Sequence, residues 1–457
     1  MIEAAYPDWS ARNPEMLAHH YERAGQDARA AETWERAADR ALESAANVEA
    51  IRHLERALAV AKRIAGSRER DELELRLQLK LGRALLATRG RTAPEVARTF
   101  ARAHALCRAH APSPSVFGGL SEIWVHSTTL CDGHAFEMAE ELAEVAAACG
   151  DRHLEALAEG ARAQLYHLMA RHKDALAAAT RALEHIDSAR RAAAGASLAT
   201  VDALSLVHVT IARSAWLQGF PDRARREAKR AVEMSSAVGE PYNEGLTASL
   251  IAYVHLWCGE DDRALELAEV NLARAARFGY GLFEAAALGI RSEVRLRGGR
   301  PHAALEDTRA ELEIRRALGN VLGIGLTHLQ LAQALARIGS LDAAVEAARE
   351  AVRLSNIPED CALLAETHRV LGLLLVRRGA EAEGHRELAR ALEVARAQEA
   401  LSLELRAAMA IARSSPLDLE PLRSAYARFS EGFDTADLME ANAILASAEA
   451  MPGQRAH

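Results

Sequence analysis

Glycine recurs every 40 residues through the second half of this 457-residue chain, at Gly219, Gly259, Gly299, Gly339 and Gly379. A fixed period of that size marks a repeat protein, in which each unit buries its apolar face against its neighbours. Small residues keep step with the glycine. Seven positions before it stand Ala212, Ala252, Ser292, Ala332 and Gly372, and five after it stand Ala224, Ala264, Ala304, Ala344 and Gly384. A third column, twelve after, is mixed: Ala231, Asn271, Glu311, Ala351 and Ala391. Small side chains on both sides of a turn let two helices approach closely, and nearby aliphatics fill the remaining volume. The unit is therefore a helical hairpin, and the expected class is all-α.

Composition agrees. Apolar residues make up 50% of the chain and aromatics only 4%, so alanine and leucine, both good helix formers, carry the apolar fraction. Runs of β-branched and aromatic residues are absent. The net charge of -8, with both signs interspersed, argues against a nucleic-acid binder. Scarce aromatics argue against a base-stacking platform. The five cysteines form no C-x-x-C pair, and most are expected to pack as small hydrophobes in helical stretches, in a reducing cytoplasm. Met1 to Pro7 has neither the basic nor the apolar stretch of a secretory leader, and no run of about 18 apolar residues suggests a membrane span.

The register divides the chain into four stretches: N-terminal helical repeats over 1–70, irregular repeats over 71–200, regular 40-residue repeats over 201–400, and capping helices with a tail over 401–457. The first unit runs from Pro14 to about Ser44, and Gly25 ends its first helix, with Ala18, Ala30 and Ala37 at the three small offsets. Ala170 takes the glycine's place in another, with Ala163, Ala175 and Ala182 around it. Ser188 to Thr200 reads as an extended loop or helix extension and as the softest boundary. Ten or eleven hairpins are expected, nested into a rod with no independent reactive centre.

The pattern resembles the tetratricopeptide-like repeat, whose unit is about 34 residues long. Here it is 40, with no regular proline closing the second helix. The resemblance implies a right-handed superhelix with a concave groove lined by first helices. Two C-terminal strings go further. They are Ala395-Arg-Ala-Gln-Glu-Ala-Leu-Ser-Leu-Glu-Leu-Arg-Ala-Ala-Met409 and Phe429-Ser-Glu-Gly-Phe-Asp-Thr-Ala-Asp-Leu438. Both, with Pro14-Glu-Met-Leu-Ala-His-His-Tyr-Glu-Arg-Ala-Gly25 and Ser44-Ala-Ala-Asn-Val-Glu-Ala-Ile51, resemble the C-terminal repeat arm of bacterial signalling ATPases. In those proteins a nucleotide-cyclase or winged-helix domain and an AAA/STAND-type ATPase precede the arm. Ser414 to Pro421 is shorter than the repeat such relatives carry there. No G-x-x-x-x-G-K-[ST] phosphate loop and no paired acidic strands of a cyclase occur in the sequence. The resemblance thus implies an arm without its engines: a separately encoded sensor, or a detached or truncated part of a cyclase–ATPase polypeptide. No cofactor or metal is expected.

The motif's groove positions map onto three columns. One holds Arg213, Tyr253, Glu293 and Gln333, a second Trp216, Leu256 and Leu296, and a third Leu217, Trp257, Arg297, Arg337 and Arg377. The three arginines would form a ladder for an acidic peptide. They would equally serve to end each first helix, where positive charge complements the dipole. Tyr253 and Trp257, four apart, share a face; they are partner anchors if exposed and core if buried. His167, His172 and Asp174 straddle a helix end but make a weak ligand pattern. His208, His328 and His368 share one repeat column, where a packing or rim role is expected. The basic run Arg223 to Arg230 reads as a solvated helix face. The function expected is a non-catalytic scaffold or sensor binding a protein, peptide or small effector in its groove, in bacterial signal transduction or transcriptional control. An enzyme hidden in the groove is the remaining alternative, and perturbed acids and histidines gathered in one concave pocket would favour it.

Overall fold

The computed structural model describes residues 12–43, 46–89, 93–192, 198–415 and 419–449. Met1–Pro7, Ser44 and Ala45, Gly90–Thr92, the centre of the expected soft boundary (193–197) and Pro416–Asp418 lie outside these. The described residues form twenty-two helices and no strand. They are α1 (Pro14–Arg23), α2 (Asp27–Glu43), α3 (Asn47–Ala61), α4 (Arg68–Arg89), α5 (Pro94–Ala109), α6 (Pro114–Leu130), α7 (Ala135–Cys149), α8 (Arg152–Leu168), α9 (His172–Ala192), α10 (Leu198–Leu217) and α11 (Pro221–Val238). Then follow α12 (Pro241–Cys258), α13 (Asp261–Phe278), α14 (Gly281–Arg297), α15 (Pro301–Leu318), α16 (Ile324–Arg337), α17 (Leu341–Ser355), α18 (Leu364–Arg377), α19 (Glu381–Ala397), α20 (Leu401–Ser414), α21 (Glu420–Tyr426) and α22 (Ala436–Glu449). The fold is a tetratricopeptide-like solenoid of helical hairpins. None of the described helices is long and apolar enough to cross a membrane.

Two compact units divide it: Met1–Leu130 with Glu141–Gly150, and Cys131–Glu140 with Asp151–His457. In the first, Trp34 of α2 lies between His19 of α1, edge-on at 4.7 Å, and His53 of α3, stacked at 5.3 Å.

Each of the five periodic glycines is left-handed, with φ between 71° and 90°. The residue after each donates its N–H to the carbonyl five positions back, as in Phe220 to Ala215 and Ala380 to Leu375. This bond closes the first helix in a Schellman-type cap, a position that only glycine takes without a Cβ penalty. Ala170, at φ 57°, makes the same bond through Arg171 to Tyr166, as its place in the repeat predicts. Proline then starts the second helix at Pro221 and Pro301, where its missing N–H costs nothing.

The small columns meet where the two helices cross. Ala212, Ala224, Ala252, Ala264, Ala332 and Ala344 are fully buried. The mixed third column has its own compensation. Glu311 is buried against Gly289, where any Cβ would fall within 2.7 Å of the Glu311 carboxylate. Asn271 donates to the carbonyl of Gly245.

Consecutive first helices (α10, α12, α14, α16, α18, α20) also touch one another, and consecutive second helices make no comparable contact. First helices therefore form the inner layer. The array does not remain the open rod that stacking alone suggests. Within this unit α20 comes back against α10, and Leu364, Val394 and Leu403 share a core with Trp216, Ala228 and Ile251. The distinctive C-terminal string fastens the return. Glu431 accepts the N–H of Arg223, Asp222 accepts that of Gly432, and Arg225 pairs with Asp434 at 3.0 Å. Gly432, at φ 74°, leaves no room for a side chain beside Pro221. The basic run at the start of α11 is therefore partly an intrachain anchor rather than a wholly solvated face.

A second set of left-handed glycines, Gly239, Gly279 and Gly319, ends the second helices. Two-residue links follow the first two. In the next repeat Pro358 and Glu359 replace the pattern. Proline cannot continue a helix and drives the residue before it out of α conformation. So α17 stops at Ser355, and the eight residues 356–363 run as a strap before α18. Cys361 lies in this strap and Cys131 in the turn after α6, while Cys107, Cys149 and Cys258 lie in helices.

Replacing Ala264 or Ala344 with leucine forces an overpacked crossing and is expected to cost ~1–3 kcal/mol. A thermal melt that does not fall for either variant would contradict this packing.

Candidate functional site

The inner faces of α10, α12, α14 and α16 bring the expected groove residues together. Trp216, Tyr253, Trp257, Glu293, Arg297 and Gln333 line one narrow cavity of about 50 Å³, room for a few waters. Its far wall belongs to the returning helices, through Glu366 of α18 and Leu403 and Arg406 of α20, with Leu363 at the end of the strap. Trp216 and Trp257 stack at 4.8 Å, Tyr253 lies 6.4 Å from Trp257, and the Arg406 guanidinium sits 4.8 Å above Trp216. Tyr253 and Trp257 are therefore neither free anchors nor wholly core.

The arginine ladder separates into unlike members. Arg297 donates to the Leu256 carbonyl and to Asp261, each at 2.8 Å, and to Glu293 at 3.0 Å, so it ties the end of α14 to the end of α12 and the start of α13. Arg337 and Arg377 are exposed and do not line the cavity. Arg213 lies deeper, outside the lining.

Two charged layers underlie this surface. The outer one is complete. Arg406 bonds Asp437 at 2.7 Å and approaches Glu366, which is held by Arg369 at 2.7 Å. Burial pushes the Glu366 carboxyl up, but Arg369, Arg406 and Arg297 outweigh it and hold the group down at about 2.

The inner layer is incomplete. His167 and His172 are each 1% exposed, with ring centroids 5.6 Å apart. His167 Nδ1 meets Ser214 Oγ at 2.9 Å, while its Nε2 and both nitrogens of His172 have no protein partner. Arg213 Nε is likewise buried without one. Burial, then the nearby Arg213, pushes His172 down to about 4 and His167 well below its ordinary value. Burial also lowers Arg213 to about 10, against the pull of Asp360. Asp360 accepts the Gly323 N–H at 2.7 Å, and burial drives its carboxyl up to about 6 despite that bond, Arg213 and Arg315. Glu311 is fully buried, bonded to Arg315 at 2.7 Å and Thr327 at 2.9 Å, and burial raises it.

Strap and inner layer are one assembly. Besides Asp360, the strap supplies Glu359, which accepts the N–H groups of Gly133 and Ala135 at 2.9 and 3.2 Å. Cys361 donates its N–H to the Leu168 carbonyl at 3.0 Å and accepts from Gln398 at 2.8 Å. The groove mapping missed Asp360, Arg315, Arg406 and Glu366. One signal for the strap stood in the sequence, the replacement of the second glycine column by Pro358-Glu359. The histidine column shows its role too: His208 pairs with Glu227 at 2.6 Å and His368 with Glu387 at 2.7 Å, each nineteen residues on. His328, whose nineteenth residue on is Ala347, has an unpartnered Nδ1.

No protein-family model matches the chain, and no curated protein matches it. Among solved structures, a Rap protein complexed with competence and sporulation factor is similar over 82% of this chain and 99% of its own, at 13% identity and a TM-score of 0.54. A signal transduction ATPase with numerous domains and a tetratricopeptide repeat sensor, from Pyrococcus horikoshii, is similar over 80% of this chain and 53% of its own, at 12% identity and 0.44. The apo quorum sensor NprR from B. thuringiensis covers 83% and 99%, at 16% and 0.42. The first likeness shows the fold; the other two are too loose to carry an argument.

The inner layer makes a two-signed pH prediction. A histidine lowered on folding contributes stability that is present above about 6.5 and lost as pH falls toward 4. His172→Asn should therefore gain on the parent between pH 7.5 and 4.5, by up to about 3 kcal/mol. An aspartate raised on folding loses stability as pH rises through about 6, so Asp360→Asn should gain on the parent in the opposite direction. Paired melts across this range check both signs.

Proposed function

We propose that the chain is a non-catalytic scaffold or sensor that takes a protein or peptide partner, or a small effector, on the concave face of its second unit. One observation carries this reading. Six residues chosen from the repeat pattern converge on one aromatic and charged cavity, and the same unit buries nitrogens of Arg213, His167 and His172 that have no bonding partner. Buried donors and acceptors are ordinarily paired, and unpaired ones in a cleft favour a ligand that pairs them. Arg337 and Arg377 extend the surface as exposed cations at one-repeat spacing. The proposed binding stretch is the regular array, 201–400, with 1–70 and 71–200 as supporting repeats and 401–457 as its cap.

The proposed setting is cytoplasmic bacterial signal transduction or transcriptional control. The Rap protein that shares this fold is itself in complex with competence and sporulation factor. The C-terminal strings that resemble a signalling-ATPase arm serve here to fasten α20–α22 onto α10–α12. A packing role of that kind suits a separately encoded arm and a part of a cyclase–ATPase chain equally.

A second reading, an enzyme in the groove, has one observation in its favour: histidines and acids with displaced pKa values do gather on the concave side. The geometry is poor for catalysis. Ser214 is fully buried, and no carboxylate orients the far nitrogen of His167, which has no partner. A nucleophile and its base need that third group and an open approach.

Pull-down from native cytosol with mass spectrometry tests the binding reading. Trp257→Ala with Gln333→Ala, and separately Arg337→Glu with Arg377→Glu, should each lower capture of the same partner at least about tenfold, some 1.4 kcal/mol. The second pair is exposed, so its melt should not move. Equal capture by the parent and both double variants would overturn the proposal.

A further inference from the structure

The strap joins α17 to α18 and brings Leu363 to the wall of the cavity. Its eight residues, 356–363, leave helical register because of Pro358, cross the inner layer and end at the cavity wall. Their contacts reach four places far apart in sequence: the turn before α7, the end of α8, the link before α16 and the end of α19. A segment needed only to join α17 to α18 requires none of these, since the equivalent links at Gly239–Glu240 and Gly279–Tyr280 are two residues long and that at Gly319–Gly323 is five.

We propose that this strap is a resident occupant of the concave face, and that the partner enters by displacing it with an extended acidic segment whose carboxylate takes the place of Asp360. The inference rests on the binding reading above and names the partner's chemistry.

Three features support it. The groups around Asp360 suit a carboxylate: the Gly323 N–H, and Arg213 and Arg315 within electrostatic reach from α10 and α15. Guanidinium groups and a backbone N–H are the ordinary receptors for such a group. Next, the resident fit is incomplete. Arg213 Nε, His167 Nε2 and both nitrogens of His172 are buried donors or acceptors the strap does not reach. A longer acidic or amide side chain would reach further than aspartate and pair some of them. Finally, the first part of the strap, 356–360, is held by polar bonds: Glu359 is 5% exposed and bonded, and Asn356 and Pro358 are exposed, while Ala362 is buried and Cys361 and Leu363 pack on the core. A segment with few apolar contacts opens locally well before the whole fold does.

The probe is a labelled synthetic peptide of the strap's own sequence, Ser355–Leu363, with serine at its cysteine. It is titrated into the full chain and into a full chain carrying Glu359→Ala and Asp360→Ala. The double variant, with its strap released, should bind the peptide at least about tenfold tighter than the parent. A peptide with asparagine and glutamine at the two acids should bind neither. Adding Arg213→Gln to the double variant should abolish the gain. Equal binding by parent and double variant, or binding indifferent to the peptide's acids, overturns the proposal.

Hydrogen exchange on the unaltered chain gives a reading that no variant's misfolding can disturb. The Cys361 amide should exchange about a hundredfold faster than the amides of α16, by local opening. Exchange of that amide only with global unfolding overturns the proposal. Such a failure alongside partner capture that still falls in Trp257→Ala with Gln333→Ala removes the strap and leaves the binding reading intact.

Discussion

The distance between two helix backbones at each hairpin crossing governs the second unit. Where both contact positions are small, the helices touch almost at the main chain: a Cβ on Gly372 would meet the carbonyl oxygen of Gly384 at 2.9 Å. Where one residue grows, its opposite shrinks, as with Glu311 and Gly289. With the two helices of each hairpin crossed this closely, the first helices of successive hairpins contact one another. Only that continuous inner layer lets side chains from distant repeats meet. Arg406 over Trp216 and Glu359 on Gly133 both depend on it.

The local part of this design was legible in the sequence. A left-handed turn wants glycine and a close crossing wants alanine, so the five glycines and their flanking columns announce the hairpins. They even identified Ala170, a non-glycine, as a turn. What was not legible is what depends on the path of the whole array. Glu366 and Arg406 are 40 residues apart, but their meeting with Trp216 depends on α20 returning to α10. Likewise nothing local to Arg297 says that Asp261 and the Leu256 carbonyl will occupy its guanidinium. The strap is intermediate. Pro358 breaks the second glycine column in plain view, yet where the freed residues go is a matter of three-dimensional contact.

The chain buries more charge than a simple scaffold needs. Taking an ion pair out of water commonly costs as much as the attraction returns, and a buried pair is weak evidence for added stability. The two charged layers differ in a way that separates structure from function. Glu366, Arg369, Arg406 and Asp437 pair with one another and tie α18, α20 and α22 together. That network is explained by the closure it maintains. Arg213, His167 and His172 maintain nothing comparable. Arg213 Nε, His167 Nε2 and both nitrogens of His172 are buried without partners; burial holds the two histidines neutral, while Arg213 keeps its charge with only Asp360 near to balance it.

An arrangement of that kind is unfavourable in isolation, since an unpaired buried polar group costs about 1–3 kcal/mol. Its persistence here has a physical rationale if something else completes it for part of the time. The strap is the completing group closest to hand, and it does so imperfectly, with one aspartate set among two guanidiniums and a backbone N–H. An occupant that fits imperfectly can be exchanged. A better-fitting acidic segment would gain the bonds that Asp360 leaves unmade, and the strap would regain solvent for its own polar groups. On this argument the break in the glycine column at Pro358 is what converts a structural repeat into a site that can be opened.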